Sequence, residues 1–125
     1  MTAWLAIAGG GAVGALMRYG MANMAYQLFG RSFPLGTLSV NVIGSLLIGL
    51  LYVLLVDRWA LSAEWRLGLL VGVLGSFTTF SSFSLETLQL MEQSGAGPAL
   101  LNVFLNVTLC LAACWLGLWF GRQYL

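Results

Sequence analysis

The sequence predicts an all-α membrane protein of four transmembrane helices, and three observations predict it. Of 125 residues, 60% are apolar and only 7% charged, about a quarter of the charge a soluble domain carries. The ionisable side chains are 5 Arg and 4 Asp or Glu, with no Lys and no His, too few to give the chain a wet surface. Their placement is the third observation: no charge falls between Arg31 and Asp57, between Arg66 and Glu86, or between Glu92 and Arg122. Each interval suits the roughly 20 residues needed to cross a bilayer. The length holds one domain, a net charge of +1 offers no patch for nucleic acid, and the lack of His with only 2 Cys removes most metal and thiol chemistry. The expectation is a membrane protein that is not an enzyme.

The first helix, residues 3–29, is split by Arg18. An intramembrane arginine costs roughly 2.5 to 3.5 kcal/mol on insertion scales, which the apolar residues around it offset, and it then faces a partner or a water-filled cavity. No basic leader precedes Trp4, so the segment is expected to be retained and not removed as a signal peptide. Gly9 to Gly14 fits the dinucleotide pattern GxGxxG, but no acidic residue follows before Asp57 and no soluble sheet surrounds it. Gly10 with Gly14 reads instead as a small-residue face for close helix packing, as do Gly68 with Gly72 and Gly117 with Gly121.

The second helix, 36–56, carries Thr37, Asn41 and Ser45 on one stripe. Asn41 matters most, because an unpaired amide in hydrocarbon costs several kcal/mol, on the order of 4 to 8. The stripe serves either a pathway or an interhelical hydrogen bond. In the third helix, 65–91, the run Gly75 to Ser84 replaces Leu and Ile with hydroxyls and phenyl rings. It reads as a break near the middle of the helix, tolerated at membrane depth only where it is buried in protein or lines a hydrated cavity. Carbonyls around Gly75 to Thr78 would then suit a cation, and amides around Thr79 to Ser81 an anion. A continuous helix whose Ser and Thr bond back to their own turn remains the alternative.

The fourth helix, 98–121, follows the pair Gly97, Pro98, which is expected to stop one helix and start the next. It aligns Asn102, Asn106, Cys110 and Cys114; the cysteines read as packing residues, since a disulfide one turn apart constrains little. Asn106, Val107, Thr108 fits the glycosylation pattern but lies inside a span. Arg58, Arg66 and Arg122 fall on one side of the membrane, against Arg31 and a borderline Arg18 on the other. So weak a bias permits insertion in both orientations. Four such helices are too few to enclose a pore and pack their own faces, so a dimer is the simplest assembly.

The segment Gly10 to Tyr19 resembles the GGxxGAxxRY signature of the Fluc (CrcB-like) fluoride channels. Gly36 to Ser45 is similar to their GTLxVNxxGS segment, and Gly75 to Glu86 to GxFTTFSTFSxE. The resemblance implies an antiparallel, dual-topology homodimer in a bacterial plasma (inner) membrane, passively exporting fluoride through two pathways around one structural sodium ion. By position it implies an aromatic box of Phe80 and Phe83, anion coordination by Asn41, and sodium held by the backbone carbonyls of Gly75 and Thr78. Thr37, Ser81 and Glu86 would line the outer pathway with Arg18 at its mouth, and Ser84 and Asn106 are counted in the same polar track. Asn102 and Asn106 depart from the Tyr and Ser usual in the fourth helix, and Ser82 stands where Thr is commoner. Two other readings are a small proton-coupled multidrug or guanidinium exporter, disfavoured because the first helix lacks a carboxylate, and a non-transporting membrane subunit whose polar stripes only join helices.

Overall fold

The first helix runs unbroken over Thr2–Phe29 in a computed structural model that describes residues 1–125. Gly30, at φ 81°, ends it in a left-handed turn that a side chain would strain. The second helix covers Leu35–Tyr52 and winds on in the wider π-helical geometry over Val53–Arg58. The third opens with Ala63–Arg66, widens to a π-helical run at Leu67–Leu74 and tightens again over Gly75–Phe77. Thr78 (φ −88°, ψ 159°) and Thr79 (φ −153°, ψ 121°) are extended, and a second helical half follows over Phe80–Ser94. The fourth helix is Ala96–Tyr124.

The helices run beyond their expected ends. The stretches long and apolar enough to cross a membrane are Leu35–Arg58, Ala63–Ser94 and Ala96–Tyr124. The first helix, at 28 residues, has the length but is not among the three, because Arg18, Asn23, Gln27 and its glycines dilute its apolar character. The turn into the fourth helix is made by Gly95 at φ 94°, not by the Gly97, Pro98 pair. Both of those residues lie in the helix's first turn, where proline's missing N–H has no intrahelical acceptor to lose.

Glycine sets how closely the helices approach. A Cβ on Gly10 would strike the Gly68 carbonyl, one on Gly14 the Val73 carbonyl, and one on Gly72 would sit 2.9 Å from the Ile7 carbonyl oxygen. The small-residue faces of the first and third helices are therefore pressed together. Gly117 meets not another such pair but Leu46 and Gly49 of the second helix. Only 23 of the 125 residues are buried, and Trp4, Leu16, Leu100 and Leu111 are among many large apolar side chains left outside, so this surface suits lipid or a second chain better than water.

Gly14→Ala is expected to lower stability by about 1–3 kcal/mol, because Val73 backbone cannot yield as a flexible side chain would. Gly9→Ala, with nothing near its Cβ, should leave stability unchanged or raise it by up to about 1 kcal/mol through helix propensity. Thermal unfolding in detergent, followed by gel filtration, reads both.

Candidate functional site

An unbroken helix would spend the Thr79 N–H on the Gly75 carbonyl, four residues back. Here that N–H donates to Asn41 Oδ1 at 2.8 Å, and Asn41 Nδ2 donates to the Thr79 carbonyl at 3.0 Å. One carboxamide thus pairs with both polar groups of the extended residue, as a neighbouring strand would. The pairing satisfies both backbone groups of Thr79, while the Thr78 N–H still donates to the Leu74 carbonyl at 3.1 Å. It also relieves the Gly75 carbonyl of its usual partner and leaves one Asn41 N–H uncommitted.

The two half-helix ends are finished differently. On the carbonyl side, Arg18 reaches across from the first helix and donates from Nε to the Ser76 carbonyl at 3.0 Å, a favourable place for a cation. Thr78 Oγ1 bonds back to the Leu74 carbonyl at 3.1 Å. On the amide side, Thr79 Oγ1 accepts from the Ser82 N–H at 3.1 Å as an N-cap. The other amides of that first turn have no intrahelical acceptor and are suited to an anion.

These groups border a groove of about 450 Å³. Asn41, Gly44 and Ser45 line it from the second helix, Gly75, Thr78, Thr79, Phe80 and Phe83 from the third, and Asn106 and Cys110 from the fourth, with no Arg, Asp or Glu in its wall. The Phe80 and Phe83 ring centroids are 5.2 Å apart at an interplanar angle of 56°. Phe83 is buried, but Phe80 is 78% exposed and stands at the open side of the groove.

A second cavity of about 190 Å³ holds the charges: Arg18 and Glu86, with Thr37, Ser82, Asn23 and Tyr26. Thr79 lines both cavities. The stripe Thr37, Asn41, Ser45 is thereby divided, with Thr37 in the charged cavity and the other two in the neutral groove. Ser81 and Ser84 line neither; Ser81 Oγ lies 3.3 Å from Thr79 Oγ1, and Ser84 Oγ donates to the Phe80 carbonyl at 2.9 Å.

In the fourth helix the asparagines form a buried ladder. Asn102 Nδ2 donates to Thr87 Oγ1 at 2.9 Å, and Asn106 Nδ2 to the Asn102 carbonyl at 2.8 Å and its Oδ1 at 3.0 Å. Thr87 donates in turn to the Phe83 carbonyl at 2.6 Å. The ladder joins the fourth helix to the third directly behind Phe83. Of the pair that departs from the expected pattern, only Asn106 reaches the groove.

Sequence reasoning missed Tyr26, whose hydroxyl donates to Glu86 Oε1 at 3.3 Å. The available signal was its spacing from Arg18, two helical turns earlier on the same face.

The family model described as CrcB-like protein, Camphor Resistance (CrcB), matches residues 5–118. The chain belongs to this family. A relative from Methylococcus capsulatus is 54% identical over 118 residues, 94% of this chain and 52% of its own length. One from Geobacter sulfurreducens is 51% identical over 123 residues, covering 98% of this chain and 99% of itself. One from Coxiella burnetii is 50% identical over 111 residues, covering 88% and 90%. All three are named Fluoride-specific ion channel FluC. The chain therefore spans about half of the Methylococcus relative and nearly all of the other two. The CrcB-like family is non-enzymatic.

Proposed function

We propose that this CrcB-like chain is a passive, fluoride-selective channel that lets fluoride leave the cytoplasm down its electrochemical gradient. The observation that carries the reading is the Asn41 clamp on Thr79, which holds open an interruption of the third helix beside a groove where neutral donors and two phenyl rings stand among the aliphatic Ile48, Leu74, Val107 and Leu111. A dehydrated fluoride is held there by the free Asn41 N–H, by hydroxyls and by the electropositive edges of Phe80 and Phe83. With no cationic side chain in the groove wall the ion is not trapped and can leave quickly. Arg18, one cavity away, attracts the anion toward the groove without binding it inside.

The functional unit is an antiparallel homodimer in a bacterial inner membrane, with two pathways, each completed where the exposed Phe80 meets the partner. All four helices cross the bilayer, Arg18 of the first being met by the Ser76 carbonyl and facing a polar cavity with Asn23, Thr37 and Glu86. The sodium fits the carbonyl chemistry: Gly75, relieved of its helical partner and exposed on the protomer surface, and the extended Thr78 would offer hard oxygen ligands from each copy. Bound there, the ion would tie the two interruptions together by charge.

Reconstituted into liposomes, the protein is expected to release fluoride to an electrode within seconds of adding a potassium ionophore and to retain chloride. Efflux that needs a proton gradient and moves an organic cation would instead support the exporter reading. No transport of either kind would support the non-transporting subunit.

A further inference from the structure

Three cavities lie in series along this chain. The neutral groove meets the Arg18 cavity at Thr79, and the Arg18 cavity meets an outer bowl of about 230 Å³ at two shared wall residues, Tyr26 and Glu86. The bowl carries Arg31, Ser32, Gln89 and Gln93, so an anion moving from it into the Arg18 cavity passes the shared wall residue Glu86. A carboxylate at that point opposes an anion by direct repulsion, strong where water is scarce.

The Glu86 carboxylate is held asymmetrically. Oε1 accepts from the Tyr26 hydroxyl at 3.3 Å, while Oε2 is buried with no hydrogen-bond partner. The Tyr26 ring is itself fixed. The Arg31 guanidinium carbon lies 4.6 Å from its centroid, and the ring presses on Gly36, where a Cβ would come within 2.6 Å of Cζ. The charged groups at this junction are Arg18 on the inner side and Arg31 on the outer side, both from the first helix or the turn after it.

We propose that Tyr26 is a positioning residue for fluoride passage: its hydroxyl pins the Glu86 carboxylate to the wall between the bowl and the Arg18 cavity, keeping the negative charge out of the ion's path. The proposal rests on the channel reading and adds to it a junction outside the neutral groove. Without the hydroxyl, Glu86 swings free between Arg18 on one side and Arg31 on the other, and either way it cancels a positive charge that attracts the anion.

The test is fluoride efflux from liposomes with Tyr26→Phe, Tyr26→Leu, and each combined with Glu86→Gln. Tyr26→Phe keeps the ring beneath Arg31 and against Gly36, so a purely structural role predicts wild-type flux. The proposal predicts a fall of at least fivefold, and recovery of at least threefold on adding Glu86→Gln, because the loosened charge is gone. Tyr26→Leu, also lacking the hydroxyl, must show the same rescue, which keeps the test decisive should one variant assemble poorly on gel filtration. Wild-type flux in Tyr26→Phe, or a double variant no faster than its single parent, overturns the proposal. Absence of fluoride flux in the unaltered protein would instead overturn the channel reading itself.

Discussion

Asn41→Asp is expected to reduce fluoride flux by at least a hundredfold while the dimer still forms. The carboxamide makes two bonds to one peptide, accepting from the Thr79 N–H and donating to the Thr79 carbonyl. Aspartate can keep the first. It sets an oxygen against the Thr79 carbonyl where a donor had been, forfeiting about 1–3 kcal/mol for a buried polar group left unpaired. It also carries a full negative charge into the wall of a groove that has none, and a charge at membrane depth costs roughly 2.5–3.5 kcal/mol even on the gentler scales. At about 1.4 kcal/mol per factor of ten, the lost bond loosens the clamp by roughly fivefold or more, and the added charge repels the ion directly. Liposome efflux measures the loss and gel filtration the assembly; flux within a factor of three of the unaltered protein would remove Asn41 from the pathway.

The second large effect is expected at Phe80. Phe80→Ile keeps an apolar side chain but removes the ring edge, the only electropositive feature that side chain can offer. Phe80 is 78% exposed on the protomer and its ring makes its tilted contact with Phe83, so the substitution disturbs little of the protomer's core. A fall in flux of tenfold or more with unchanged unfolding behaviour is the expected result. Phe83→Ile should lower flux as well but also stability, because Phe83 is 8% exposed and cutting a buried ring to a smaller side chain leaves a void costing about 2 kcal/mol or more. That contrast separates the two rings' contributions.

Much of the fold was legible because lipid simplifies the problem: charge-free intervals mark helices, and spaced glycines mark close approach. Gly10 and Gly72 meet as that spacing implies. The end of the third helix was placed less well, since Gly97 and Pro98 look like stronger signals than Gly95, and only the left-handed φ of Gly95 decides between them. In the run Gly75 to Ser84, Thr78 and Ser84 bond back to their own turns while the backbone of Thr78 and Thr79 is extended. The site was legible as residue types and not as pairings. Nothing local indicates that Asn41 would clamp a peptide 38 residues away, or that Tyr26 would hold a carboxylate 60 residues away. Such pairings depend on how the helices are rotated about their axes, which a stripe of polar residues leaves free by a third of a turn. The same freedom hid the division of Thr37 from Asn41 and Ser45 between two cavities.

The most direct measurement of the central claim is an experimental density map of the protein in lipid with fluoride present. The account predicts extended backbone at Thr78 and Thr79, the Asn41 amide paired to Thr79, and ion density in the groove beside the edges of Phe80 and Phe83. A third helix continuous through Thr79, with Asn41 and both rings turned to the acyl chains, would contradict it.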